Sequence, residues 1–445
     1  MNGDTATFPM GGVHPPECKE LTNNLSIETM PNPSEVRLVL KQHAGAPCEP
    51  LVKKKDKVVE GDLVGSVEKK LGANLHASIS GTVKGVVNAF HPIVGKAPAI
   101  AISADPQAEG KSYQPVDWRA FSKEELLAKI KDAGVVGMGG AGFPAGVKLT
   151  LRPDVKVDTL VLNGAECEPY LNADNRCMIE YPRDIIEGAK IIMTILGINY
   201  CGIGVEDNKP DAIQALRKAI EEDTSKNGFK IVVKPLKVKY PQGSADQIMQ
   251  SVTGRVRPSG VRSSAIGIIV HNVGTTKAIY DAVVLGKPSY ERVVTVSGKG
   301  IKRPANLMVK VGTSVAEIAD YLGGTTPDLA KVVIGGPMMG FAVSTLDIPV
   351  TKTTSGVLFL TKDEIDTQPY GPCIRCGFCL EACPMGLEPN NVSIYVEAGR
   401  GADTAQFGID DCFECGSCAF VCPSKRPLVQ FIRLAKMKIK ESKGK

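Results

Sequence analysis

A chain of 445 residues, 43% apolar and 23% charged, can bury several cores at roughly 100–200 residues per domain, and its dispersed net charge of +5 argues against a nucleic-acid binder. Its longest apolar run, Ile191 to Val205, falls short of the roughly 20 residues that span a bilayer, and no basic-then-apolar leader opens the chain, so a cytoplasmic protein without a membrane span of its own is expected. Thirteen cysteines in a compartment that keeps thiols reduced point to metal or redox chemistry rather than disulfides.

Residues 1–30 form a polar, proline-containing arm without periodicity. Residues 31–110 carry short β-type runs between glycine turns (VRLVL, KVVEGDLVGSV, HASISGTVKGVV), the pattern of a small all-β module. The last two runs together are similar to the barrel-sandwich hybrid of biotinyl and lipoyl carriers. Lys69 and Lys70 stand roughly where a carrier presents its modified lysine, but no carrier motif surrounds them, so a structural module is expected.

Residues 115–285 alternate helix and strand. Ser122 and Glu125 form a capping box for a helix that Gly134 ends. VDTLVLN reads as a buried strand, Pro182 to Leu196 as an amphipathic helix closed by Gly197, and CGIGVE as a strand. A helix from Pro210 to Glu222, the strand IGIIVHN and the helix TTKAIYDAVVLG follow. Such alternation predicts an α/β layer with parallel strands. Residues 286–362 return to β-rich text around a helix capped by Ser314 and Glu317, which suggests a β-grasp. Residues 366–433 hold two cysteine runs, and 434–445 read as a basic tail.

The first run is Cys373, Cys376, Cys379 and Cys383 with Pro384, and the second is Cys412, Cys415, Cys418 and Cys422 with Pro423. Each reads C-x2-C-x2-C-x3-C-P, the spacing that wraps a cubane iron–sulfur cluster. One tight loop supplies three thiolates, and Gly377 and Gly416 relieve crowding against the sulfides. The fourth cysteine opens a helix directed away, so it is expected to serve the other cluster. Zinc is disfavoured because its sites use separated knuckles or histidine, and no histidine is nearby. The same absence excludes a Rieske centre and predicts low potential. Cys18, Cys48, Cys167, Cys177 and Cys201 have no ligand spacing and read as buried or free thiols.

In VVGMGGAGFPAGVKLT, Gly137, Gly139 and Gly142 match G-x-G-x-x-G, a weak signal here because a helix precedes it and Pro144 follows. Five glycines nonetheless leave main-chain N–H groups free to close on a phosphate, with Lys148 adding charge. Downstream, VLNGAECEPY places Asn163, Glu166 and Glu168 after a buried strand, where open α/β sheets bind ligands and carboxylates suit ribose hydroxyls or a carboxamide.

The succession GMGGAGFPAGVK and NGAECEP resembles the flavin- and NADH-binding subunit of respiratory complex I. It is still more similar to the C-subunit family of Rnf complexes, ion-pumping ferredoxin:NAD oxidoreductases, which shares GGVHPPE, NGAECEPY, YPQGS, HNVGT, GGPMMG and the paired cysteine runs in this order. The resemblance implies a multidomain α/β protein: a barrel-sandwich hybrid at 31–110, a Rossmann-like FMN/NADH domain at 115–285, a β-grasp of soluble-ligand-binding type at 286–362 and a two-cluster ferredoxin-like module at 366–433. It further implies that Gly137, Gly139, Gly140, Gly142 and Lys148 cradle FMN. Asn163 and Asn272 would face the flavin, Phe143 would lie near the nicotinamide, and Glu166 and Glu168 would bind the dinucleotide. Ala165 and YPQGSADQ depart from the complex I pattern, which carries acidic residues there.

The function expected on this basis is an NADH–FMN electron port with two 4Fe-4S clusters. It would be peripheral on the cytoplasmic face of the membrane, held by other Rnf-type subunits and reached by ferredoxin only through one of them. A microcompartment cobalamin reductase of similar architecture and an electron wire without nucleotide are the alternatives.

Overall fold

The computed structural model describes residues 5–68, 70–108, 110–225 and 228–443. Lys69, one of the two lysines weighed above, lies outside them. The first module joins an antiparallel sheet of Glu35–Val39, Gly95–Ala104, Gly81–His91 and Lys57–Val58 to a small sheet of Glu49–Pro50, Leu63–Ser66 and Leu75–His76. Val36, Leu38, Val64, Ile79, Ile100 and Ile102 close its core, and Val311 from the β-grasp completes it, so the two modules share one apolar interior.

The second module is a four-stranded parallel sheet in the order Lys230–Leu236, Tyr200–Glu206, Thr159–Asn163, Ile268–Asn272. Its central strand is apolar on both faces because both are covered. Leu160 and Leu162 enter one core with Ile186, Ile192, Ile203 and Leu216, while Val161 enters another with Leu236, Ile248 and Val252. Each such side chain contributes about 1.5–3 kcal/mol. The helices Pro182–Leu196 and Pro210–Glu222 occupy the ranges their prolines and caps predict, and Gly197 closes the first in the left-handed region at φ 69°. The Ser122–Glu125 capping box is formed. The expected helix after Asn272 is α-helical over Val273–Tyr280 and then widens into a π-turn over Asp281–Leu285.

The β-rich third module is a six-stranded mixed sheet, and one edge strand comes from the arm: Ile27–Thr29 pairs in parallel with Ala305–Lys310. Three residues carry too short a pattern to read as a strand; tertiary pairing makes them one. The lysine-rich C-terminus also differs from the expected tail. Leu428–Lys443 is a helix whose Leu428, Ile432, Ala435 and Ile439, spaced four, three and four apart, pack with Cys379, Val392 and Cys418.

The arm straps the second module to the cysteine-bearing one. Gly12 N–H donates to the Ala382 carbonyl at 2.9 Å, and Val13 and Tyr240 exchange main-chain bonds at 2.8 and 2.9 Å. Gly11 has φ 63°, and a Cβ there would overlap the Cys383 carbonyl. Gly11→Val is therefore expected to cost about 1–3 kcal/mol in backbone strain and to loosen the strap. A lower midpoint of unfolding with faster proteolysis of the arm is the outcome to look for; an unchanged midpoint would contradict it.

Candidate functional site

From Asn163 the chain builds outward through Tyr200–Glu206 and Lys230–Leu236, then returns to the other side of Thr159–Asn163 with Ile268–Asn272. Strand order thus reverses between Thr159–Asn163 and Ile268–Asn272, and ligands of open α/β sheets bind in the crevice beyond such carboxyl ends. Asn163 and Asn272 are register partners at this edge. Asn163 Nδ2 donates to the Gly243 carbonyl at 2.7 Å, and its Oδ1 accepts from Ala165 N–H at 3.2 Å. Asn272 caps the helix Val273–Tyr280 by accepting from Thr275 N–H at 3.2 Å, while its Nδ2 donates to Asp174 at 2.6 Å.

The glycine segment crosses this edge. Met138 N–H donates to Thr275 Oγ1 at 2.8 Å. A Cβ on Gly139 would stand 3.2 Å from Asn272 Nδ2, and one on Gly142, at φ 68°, would meet Thr353 at 2.7 Å. Gly137 has more room, and around Gly140 nothing lies within 4 Å. Phe143 is 40% exposed beside it. The Lys148 ammonium donates to the Val270 carbonyl, which holds its charge at the strand behind the glycine loop. Burial pushes its pKa down to about 8 and, with Lys148 beside it, lowers that of the buried His271 as well.

The carboxylates of Glu166 and Glu168 both hold main-chain amides. Glu166, at φ 47°, accepts from Asp174 and Asn175 N–H at 2.7 and 3.0 Å, which caps the helix Ala173–Glu180. Glu168 accepts from Met338 and Met339 N–H at 3.0 and 2.9 Å, which ties the loop to GGPMMG of the β-grasp. Beneath them the buried ammonium of Lys19 donates to the carbonyls of Glu166 and Glu168 at 3.1 and 2.9 Å, and to that of Leu171. Lys19, Asp174 and Tyr240 belong to the site although the sequence reading passed over them. A lone lysine in an aperiodic arm carries no signal, whereas Tyr240 stands within the YPQGS motif.

The eight cysteines of the two runs ring two cavities. Cys373, Cys376 and Cys379 line one together with Cys422 of the second run. Cys412, Cys415 and Cys418 line the other together with Cys383 of the first. Leu387 N–H points at Cys383 Sγ (3.3 Å) and Glu414 N–H at Cys412 Sγ (3.4 Å). The second cavity abuts the parallel-sheet module: Tyr240, beside Glu168, donates its hydroxyl to the Cys415 carbonyl at 2.7 Å. The other five cysteines are free thiols; Cys48, Cys177 and Cys201 are buried.

Family models match along the chain: the barrel-sandwich hybrid domain of RnfC at 7–107, the Nuo51 FMN-binding domain at 130–281, the SLBB domain at 293–342 and a 4Fe-4S dicluster domain at 372–425. Fold and site together define an electron-transfer protein of the flavin and iron–sulfur class. The chain is 45% identical over 429 residues to the C subunit of the proton-translocating ferredoxin:NAD(+) oxidoreductase complex of Clostridium ljungdahlii, covering 96% of this chain and 93% of that one. It is 39% identical to the C subunit of the Na(+)-translocating ferredoxin:NAD(+) oxidoreductase complex of Acetobacterium woodii, over 99% of this chain and 98% of the relative. The chain belongs to the family of C subunits of these ion-translocating oxidoreductase complexes. An NAD+-reducing [NiFe]-hydrogenase shares the fold at a TM-score of 0.51 and 17% identity, over 72% of this chain and 63%, less than two thirds, of that one. Among the described residues no helix is long and apolar enough to cross a membrane.

Burial pushes the Glu168 carboxyl up from an ordinary 4.5 to about 7. Between those values the folded chain keeps a proton that the unfolded chain has lost. The stability from this group is full below pH about 4.5 and is lost as pH rises through about 7. Asp174, raised to about 7 by burial and by Glu166, adds a parallel dependence. Glu168→Gln is expected to reduce, not abolish, the fall in the urea midpoint across this window. An unchanged slope would show an ordinary carboxyl.

Proposed function

We propose that this chain is the peripheral subunit through which NAD(H) exchanges electrons with an Rnf-type ion-translocating ferredoxin:NAD+ oxidoreductase. FMN would be held at the sheet edge and two 4Fe-4S clusters by the cysteine runs. The observation that carries this reading is the joining, in one closely packed chain, of a switch-point crevice crossed by a glycine segment to a cavity ringed by cysteines. FMN supplies the conversion between the electron pair of a hydride and the single electrons of a cubane.

The chain's own residues bind and orient. Main-chain N–H groups of Gly139, Gly140 and Gly142 receive the flavin, Gly137 holds the turn through its bond to the Phe143 carbonyl, and the open space at Gly140 is room for the flavin that a side chain there would fill. Asn163 and Asn272 fix the crevice walls. Phe143 offers an exposed ring to the nicotinamide. Glu166 and Glu168 hold the crevice floor through main-chain amides, and Lys148 supplies positive charge at its back. One cluster would be held by Cys373, Cys376, Cys379 and Cys422, the other by Cys412, Cys415, Cys418 and Cys383. The amides aimed at Cys383 and Cys412 tune potential. A cubane suits the two C-x2-C-x2-C-x3-C-P runs better than zinc does, since zinc sites use separated knuckles or histidine. Partner subunits hold the chain at the cytoplasmic face, where NADH is available, and ferredoxin communicates with it through one of them.

The test is an anaerobic spectrum before and after NADH. Flavin bleaching together with cluster reduction supports the port, and a flavin-free spectrum overturns it. Gly140→Val touches nothing in the protein itself, so it is expected to abolish FMN retention while iron content stays unchanged. Normal flavin occupancy in that variant would sink the assignment.

The crossed cysteine sets make a second prediction. Cys383→Ala should remove the same EPR signal as Cys415→Ala and leave the one that Cys376→Ala removes. Loss of the Cys376 signal instead would mean that each run holds its own cluster.

A further inference from the structure

The two cysteine runs are quasi-equivalent, and only one of them is covered. Ile374, Arg375, Cys376, Gly377 and Phe378 of the first run correspond to Phe413, Glu414, Cys415, Gly416 and Ser417 of the second. Their backbones agree: Arg375 and Glu414 have φ 56° and 63°, Gly377 and Gly416 have 87° and 83°, and a short helix follows each. In the second run this face is the interface with the rest of the chain. Cys415 receives Tyr240, Ser417 is fully buried, and a Cβ on Gly416 would stand 2.9 Å from the Met338 carbonyl. Glu414 is ion-paired with Arg433 and Lys436 at 2.8 and 2.9 Å.

The same face of the first run meets nothing. Cys376 is exposed, and a Cβ on Gly377 would find no atom within 4 Å. Where the covered run has a small buried serine, the open run has Phe378, 50% exposed, and Ile374 is 64% exposed. Arg375 is exposed and stands in left-handed backbone at φ 56° with its side chain on this face. Large apolar side chains held in solvent around a redox ligand mark a contact surface, and a cation at its centre selects an acidic counterpart.

We infer that the loop 374–378 is the surface through which this chain exchanges electrons with a second redox protein. That protein presents a one-electron centre behind an apolar face with an acidic edge. The inference rests on the reading of the cysteines as cluster ligands and adds an order. The cluster at Cys412, Cys415, Cys418 and Cys383 is the inner one, against the flavin module; the one at Cys373, Cys376, Cys379 and Cys422 is the outer. A single electron crosses the face: the outer cluster loses it as the partner's centre gains it, or the reverse, with no bond or proton changed. Redox contacts of this kind are small, below about 1,200 Å², so a few residues carry them.

The experiment uses the purified membrane complex. A benzophenone amino acid in place of Phe378 is expected to cross-link, on illumination, to a subunit that carries a flavin or iron–sulfur centre. Capture of a subunit without a redox centre, of a second copy of this chain, or of lipid would overturn the inference. In a second arm, Phe378→Lys is expected to leave flavin bleaching and both EPR signals intact in the isolated subunit, and to slow electron delivery from NADH to the rest of the complex at least about tenfold, a loss of 1.4 kcal/mol per tenfold. Full delivery in this variant would also overturn it. If NADH failed to reduce even the unaltered subunit, the proposed function would fall, while the cross-link would still decide whether this face docks a redox protein.

Discussion

One buried ammonium holds the site in shape. Lys19 is 8% exposed, and taking its charge out of water is costly unless every proton finds an acceptor. Three carbonyls of the loop after Thr159–Asn163 provide them. The loop must therefore curl around the ammonium, and the curl sets everything that follows. It forces Glu166 into the left-handed region, aims its carboxylate at the next helix, and turns Glu168 toward the β-grasp. Burial lowers the Lys19 pKa, and the negative charges of Glu166 and Glu206 oppose that effect. A loop that would otherwise be mobile becomes the junction of three modules.

The same arm that carries Lys19 carries Gly11, Gly12 and Val13, which bind the cysteine-bearing module. Fixing the crevice and fixing the inner cysteine cavity are thus one event. Tyr240 closes the circuit by pairing with Val13 through its main chain and with Cys415 through its hydroxyl. Electron tunnelling decays steeply with distance, so a rigid junction here serves function more than a flexible linker would. Crossed thiol sets extend the argument, because neither cysteine run can complete a cavity alone and the module orders as a unit.

Much of this was legible in the sequence. The helices Pro182–Leu196 and Pro210–Glu222 and the central parallel strands announce themselves because cap residues and apolar periodicity are local signals. The cysteine spacing is local too. What could not be read depends on partners distant in the chain. Ile27–Thr29 is a strand only because Ala305–Lys310 accepts it. The C-terminal helix was hidden by its lysines, which occupy the solvent face, while four apolar residues at helical spacing carry the packing. Lys148 and the two glutamates read as ligand groups because one follows a glycine-rich loop and the others follow the carboxyl end of a buried strand. What the local pattern could not show is that each also has a main-chain partner close at hand.

A carboxylate after a parallel strand can touch a dinucleotide directly, or it can hold the backbone that does. Glu166 uses both oxygens on consecutive amides of one helix, and Glu168 uses both on consecutive amides of another loop. Each of these oxygens keeps a second acceptor site beside its main-chain bond, so a carboxylate that holds backbone can also accept from a ribose hydroxyl. In the glycine segment Gly137 N–H is held by the Phe143 carbonyl at 2.9 Å and Met138 N–H by Thr275 Oγ1 at 2.8 Å, which fixes the turn that carries Gly139 and Gly140. The acidic residues of NGAECEP thus keep the crevice's backbone in place through bonds to consecutive amides, whatever else their free lone pairs receive.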